Sequence, residues 1–154
     1  MSIRKQQDNQ SQLFEQLNKQ LANWTLLYTK LHHHHWYIKG PHFFTLHAKF
    51  EELYNEAASH IDTIAERLLA IGGKPAATMA EALRLTSLKE ASGQENAKLM
   101  VMAVLNDFRL LTDESNTLIE LADAAGDEGT SDLFTGIVTS LEKHAWMLNA
   151  YLHE

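Results

Sequence analysis

The 154-residue sequence contains no cysteine. That absence excludes disulfide staples and thiolate chemistry, and it suits a reducing compartment. No apolar run approaches the roughly 20 residues that a membrane helix needs. The opening MSIRKQQDNQ carries no apolar signal core, so the expected location is the cytoplasm. Positive charge is also short: 13 Lys and Arg stand against 20 Asp and Glu, a formal net charge of −7. An acidic surface repels phosphate backbones, which counts against nucleic-acid binding from the outset. Only two prolines and seven glycines interrupt the chain. These breakers mark Gly40-Pro41, Gly72-Gly73 with Pro75, Gly93, and Gly126 with Gly129.

Between the breakers the apolar residues repeat with helical period, and no strand-like alternation competes. Leu17, Leu21, Trp24, Tyr28, Leu31 and His35 step by four and three. Phe50, Leu53, Tyr54, Ala57, Ile61, Ile64, Ala65 and Leu68 form a second seam. A third contains Met100, Val104, Leu105, Phe108, Leu111, Leu118 and Leu121. The fourth contains Leu133, Phe134, Ile137, Leu141, Trp146, Met147 and Leu148. The spacing predicts helices over 8–38, 43–71, 95–125 and 130–153, in one domain spanning 1–154 with a flexible tail over 1–8. Short turns join the first helix to the second and the third to the fourth, which makes each pair antiparallel. The connection 72–94 is long enough to cross the bundle and holds a helix-like piece, TMAEALRL. The expected fold is an all-α, ferritin-like four-helix bundle with one long crossover containing a short extra helix.

Several chemistries find no motif. There is no H-E-x-x-H zinc pattern, no P-loop and no G-x-G-x-x-G. Glu-x-x-His, which builds di-iron sites inside ordinary ferritin-like bundles, is also absent. What is present is a stripe on the second helix. With Phe50 at zero, His47, Glu51, Asp62 and Glu66 fall at about 60°, 100°, 120° and 160° around the wheel. They share a flank of the core face. Along the axis His47 and Glu66 lie about 28 Å apart, and Glu51 and Asp62 about 16 Å. One metal ion cannot span that. A second copy of the helix, antiparallel across a two-fold axis near residues 56–57, would bring His47 and Glu51 against Asp62 and Glu66. The alternative is that Glu51, Glu52, Asp62 and Glu66 are ordinary solvated charges with His47 a boundary residue.

Four consecutive histidines, His32 to His35, close the first helix. His35 continues the inward seam and His32 sits at its edge, whereas His33 and His34 are expected to project into solvent. Two imidazoles with three carboxylates suit iron or manganese, with zinc and cobalt as competitors.

The segment LHHHHWYIKGPHFFTLHAKFEELYNEAASHIDTIAERLLAIGG, with EKHAWML near the C-terminus, resembles the Dps family of miniferritins. The resemblance covers nearly the whole chain and is greatest to the peroxide-inducible Dps proteins of bacilli. It implies a homododecamer of tetrahedral symmetry with iron-oxidising centres at its two-fold interfaces. It matches His35, His47 and Glu51 of one subunit, facing Asp62 and Glu66 of its mate, to the ligands of such a centre. Glu51 stands where many members have Asp, which bears on how a second iron is held. The implied reaction oxidises Fe(II), with hydrogen peroxide preferred over dioxygen, and stores ferric oxide in the cavity. Trp36 and Trp146 match aromatic positions near the centre, and His32 matches a supporting histidine. Asp123, Glu128 and Asp132 match carboxylates lining three-fold pores that admit iron, with Asp127 adding charge nearby. The alternative there is a polar turn with Asp at a helix start. Direct DNA binding, the family's other function, is not expected, because residues 1–10 hold only Arg4 and Lys5 against Asp8. A histidine-rich metal buffer or a purely structural assembly is the third reading.

Overall fold

A computed structural model describes the backbone of residues 3–153 and the side chains from Gln7 onward. Five helices follow in order: α1 Ile3–Tyr37, α2 Phe43–Ala70, α3 Met79–Leu85, α4 Ala97–Ala125 and α5 Glu128–Leu152. Among the described residues there is no strand. The four long helices make the bundle and α3 lies in the crossover. The observed architecture is therefore the expected all-α bundle with one extra short helix. α1 packs on α2, α4 on α5, and α1 also meets α3 and α4.

α1 begins five residues before the sequence pattern placed it. Of the tail expected over 1–8, Met1 and Ser2 lie outside the described residues, and Ile3 onward forms the first turns of α1. Gln- and Lys-rich sequence propagates a helix without an apolar face, and the periodicity had nothing to detect there. The other ends have local causes. Thr78 and Glu81 form a capping box that starts α3. Asn96 accepts from the Leu99 N–H at 2.9 Å to start α4. Gly126, at φ 72°, ends α4 in the left-handed conformation that glycine adopts without steric cost.

Core positions follow the seams. Leu17, Leu31, Phe50, Ile64, Leu68, Leu111, Leu118 and Phe134 are fully buried. Each such side chain contributes on the order of 1.5–3 kcal/mol by leaving water. The fourth seam needs one correction. Trp146 and Met147 are exposed, and His144 takes the inward position. The steps 134, 137, 141, 144 and 148 alternate three and four, so the core stripe passes through His144 and leaves Trp146 outside.

A polar layer fixes the crossover. Asn23 of α1 is wholly buried. Its Nδ2 donates to Glu114 at 2.8 Å, and its Oδ1 accepts from Thr86 Oγ1 at 2.8 Å and the Ser87 N–H at 2.9 Å. One side chain thereby ties residues 86–87 to α1 and α4.

Candidate metal centre

α1 ends at Tyr37 and α2 begins at Phe43, so a tight turn sets their ends side by side. Gly40 makes that turn at φ 108°, a conformation that disfavours any side chain. His35, near the end of α1, faces His47, one turn into α2. Their rings stack with centroids 3.7 Å apart and 16° between planes. The His35 Nδ1 donates to the His47 carbonyl at 2.7 Å, and the His47 Nδ1 donates to the His35 carbonyl at 2.8 Å. A carbonyl can only accept, so both Nδ1 atoms carry the hydrogen. In each neutral ring the lone pair is then at Nε2. Backbone partners fix the tautomer in this way at metal-binding histidines.

The His35 carbonyl lies within the last turn of α1, where no intrahelical donor reaches. His47 supplies that donor and so caps α1 from the next helix. Phe43 stacks on the other side of His47 at 4.9 Å. Two imidazoles are thereby held rigid before any metal arrives.

Glu51 is one turn beyond His47 on α2 and is exposed. Tyr54, three residues farther along α2, carries a half-buried phenol. Burial, and next the Glu51 charge, hold that phenol above its ordinary pKa. Asp62 and Glu66 lie farther along α2, both exposed. At 1.5 Å per residue Asp62 is about 16 Å from Glu51 along the axis. Among the described residues of one chain, no three His, Asp or Glu side chains converge as a metal site. The chain brings together His35 and His47, with Glu51 one turn farther along α2, and it leaves Asp62 and Glu66 as a second, separate pair on the same helix.

The α4–α5 turn sorts its acidic residues into two kinds. Asp123, Glu128 and Asp132 are exposed. Asp127 is engaged within the fold: it accepts from Arg67 Nη2 at 2.5 Å and from the Thr130 N–H at 3.0 Å, capping α5. Burial would raise its pKa, but the Thr130 hydrogen bonds and Arg67 prevail and hold it below the usual carboxylate range. Gly129 permits this arrangement, because a Cβ there would come within 2.7 Å of Arg67 Nη2.

Known proteins resemble this chain. A ferritin-like domain model matches residues 14–154. The chain is 57% identical over 143 residues to "DNA protection during starvation protein 2" of Bacillus anthracis, covering 93% of this chain and 98% of that protein. The crystal structure of a Dps protein from Bacillus brevis superposes with a TM-score of 0.94 at 53% identity, covering 95% of this chain and 98% of that one. This chain belongs to the Dps family. A Dps protein from Vibrio cholerae, described as a member of a broad superfamily of ferritin-like diiron-carboxylate proteins, superposes with a TM-score of 0.90 at 35% identity, covering 94% of this chain and 91% of that one.

In this Dps chain the histidine quartet divides differently from the sequence expectation at one position. His33 is half-buried, but His34 is fully buried and not solvent-exposed. The buried arc of α1 is wide enough to hold both Leu31–His35 and Leu31–His34, since the ring of Phe50 covers the second at 5.5 Å. Among the described residues neither His34 ring nitrogen meets a hydrogen-bond partner. Burial, then the nearby Lys30 and His33, lower its pKa to about 4 against an opposing pull from Glu95. His34 is thus a neutral core residue near pH 7.

His32 donates from Nδ1 to the Tyr28 carbonyl at 2.8 Å and stacks on Tyr54 at 3.8 Å. Trp36 is exposed, with its ring 5.2 Å from His32. Trp146, exposed on α5, is the other expected near-site aromatic.

Two features had no forecast. Tyr54 was read only as a seam residue, although its position three after Glu51 on a helix was a usable signal. The other feature is a polar cluster between α2 and α5. His144 Nε2 meets Glu56 at 2.6 Å, His60 Nε2 meets its other oxygen at 3.2 Å, and Ser140 donates to it as well. The Lys49 ammonium can only donate to His144 Nδ1, so His144 carries its hydrogen on Nε2 and gives it to Glu56. The His144 hydrogen bond, then that of His60, hold the Glu56 carboxyl well below the usual range.

Proposed function

We propose that this chain is the subunit of an iron-oxidising, iron-storing shell, a homododecamer of tetrahedral symmetry, that consumes Fe(II) and hydrogen peroxide together. The observation that carries the reading is the reciprocal bonding of His35 and His47, which sets two nearly parallel imidazoles with Nε2 as the nitrogen left to bind metal. Fe(II) accepts such nitrogen donors with carboxylate oxygens. Glu51 supplies one carboxylate from the same chain. Asp62 and Glu66 of a second copy, antiparallel across a two-fold axis, supply the others. The split of the four α2 residues into two distant pairs on one flank, His47 with Glu51 and Asp62 with Glu66, supports a site shared between copies.

The residues divide the work. His35 and His47 fix the direction of approach of Fe(II), because their rings cannot turn without breaking the two Nδ1 bonds. Carboxylates balance the growing charge as Fe(II) becomes Fe(III). Peroxide accepts two electrons, one from each of two Fe(II) ions, and leaves as water or oxide without releasing hydroxyl radical. Ferric oxide then accumulates in the enclosed cavity. Asp123, Glu128 and Asp132 form the acidic lining through which cations enter. Asp127 serves that lining by holding the turn through Arg67. Residence is cytoplasmic; among the described residues no helix is long and apolar enough to cross a membrane.

The test is peroxide-driven Fe(II) oxidation by stopped flow, with assembly followed by native mass. Asp62→Asn and His35→Gln are each expected to slow oxidation strongly in shells that still assemble. Wild-type rates in both variants would overturn the reading and favour a metal buffer or a structural assembly. DNA protection follows here from removing Fe(II) and peroxide. A chain of net charge −7, repeated around a shell, opposes phosphate binding. Retarded DNA in a low-salt, metal-free gel shift would reinstate the alternative, a nucleoid-type DNA-binding protein.

A further inference from the structure

A positive charge stands where the proposed path for iron begins. Arg67 reaches from the end of α2 to the α4–α5 turn, and its side chain keeps 30% of its surface exposed. The guanidinium lies against the backbone of Gly129, where an added Cβ would meet Nη2, Cζ and Nη1 at 2.7, 3.0 and 3.2 Å. Exposed acids surround that point in the chain: Asp123 in the last turn of α4, Glu128 next to Gly129, and Asp132 farther into α5. A cation drawn to those carboxylates is repelled by a bare guanidinium beside them.

Asp127 answers that charge with both of its oxygens. Oδ1 accepts from Arg67 Nη2 at 2.5 Å and from the Thr130 N–H at 3.0 Å. Oδ2 accepts from the Thr130 hydroxyl at 2.5 Å, and the same hydroxyl oxygen accepts from Arg67 Nε at 3.0 Å. Thr130 is wholly buried, so its hydroxyl has no bulk water to turn towards. Arg67, Asp127 and Thr130 thereby close a ring. The Asp127 side chain is left 16% exposed, whereas Asp123, Glu128 and Asp132 stay open to solvent.

We propose that Arg67 and Asp127 form a charge-neutral strut at the iron entrance: Arg67 holds the turn that carries Asp123, Glu128 and Asp132, and Asp127 is its counter-ion, an acid that does not itself meet iron. This rests on the ferroxidase and iron-entry reading above. A guanidinium suits the strut, because its planar fork gives one donor to Asp127 and another to Thr130. Neutrality suits the entrance, because a three-fold axis would repeat every unmasked arginine around the path of Fe(II). Arg67 is a positioning residue, and Asp127 cancels the electrostatic penalty that it brings.

The experiment compares wild type, Asp127→Asn, Arg67→Gln and the double variant as assembled shells, with assembly checked by native mass. Asparagine keeps the α5 cap, since its side-chain oxygen still accepts from the Thr130 N–H, and it removes the charge. Initial rates of peroxide-driven Fe(II) oxidation are read by stopped flow from low Fe(II), where entry limits, up to the plateau. In Asp127→Asn the slope at low Fe(II) should fall about tenfold at low ionic strength, far more than the plateau. That loss should shrink as salt is added. The double variant removes the arginine as well and should regain the wild-type slope. A double variant as slow as Asp127→Asn overturns the proposal, because Asp127 then meets iron itself or acts only as a support. A wild-type slope in Asp127→Asn overturns it too. If Asp127→Asn does not assemble, Arg67→Gln alone decides: its slope should match or exceed wild type at low ionic strength, and a lower slope overturns the masking. Each of these failures leaves the ferroxidase reading standing, whereas a wild type that oxidises no Fe(II) overturns both.

Discussion

His47 serves two purposes that one pair of substitutions can separate. Its Nδ1 caps the orphan His35 carbonyl at the end of α1 at 2.8 Å, and in the proposed function its Nε2 lone pair is offered to iron. His47→Asn keeps the first and removes the second, since an asparagine amide nitrogen takes nearly the place of Nδ1. His47→Leu removes both. Losing the bond costs about 1 kcal/mol, and leaving a carbonyl desolvated adds to a total of about 1–3 kcal/mol. The reverse bond is worth less, because the His47 carbonyl lies inside α2 and keeps its intrahelical donor at Glu51. His35→Leu should therefore destabilise less than His47→Leu. Thermal unfolding of metal-free protein at one fixed concentration reads the difference, at about 2–4 °C per kcal/mol for a chain of this size. His47→Asn should melt close to wild type, His47→Leu several degrees lower, and both should lose peroxide-driven Fe(II) oxidation. If the Asn and Leu variants melt together, the cap contributes nothing and the tautomer argument at His47 loses its basis.

Other outcomes follow from the same geometry. Glu56 has a folded pKa held below its ordinary value of 4.5. The sign is that of a depressed carboxylate: its stabilisation is complete above about 4.5 and is lost as pH falls further. Glu56→Gln should therefore cost about 1–3 kcal/mol near neutrality and flatten the acid limb, read by urea unfolding between pH 3 and 7; parallel acid limbs would refute this. Asn23→Ala removes the link between residues 86–87 and both α1 and α4, at a cost of about 2–4 kcal/mol from unsatisfied buried partners. Hydrogen exchange should show the crossover opening faster than the bundle, and uniform protection would contradict it.

The number, type and order of the long helices were legible from periodicity, because each must bury one apolar stripe and the stripe repeats every 3.6 residues. Turn positions were legible at Gly40 and Gly126, where the backbone takes positive φ. The candidate ligands were visible as a flank of α2 and an inward His35. Three things were not. His34 was read as exposed, because a helical wheel gives direction but not the width of the buried arc, and only Phe50 from α2 decides that. Asp127 was read with the exposed acids of its turn, because sequence cannot see Arg67 arriving from 60 residues away. The tautomers of His35 and His47 depend on carbonyls from a different helix. By itself the sequence determined which residues are candidates for metal and which helix faces carry them. Tertiary structure alone decided which nitrogen is free, which acid is already paired and which aromatic rings touch, because those are set by distances between helices, and residue order does not encode distance directly.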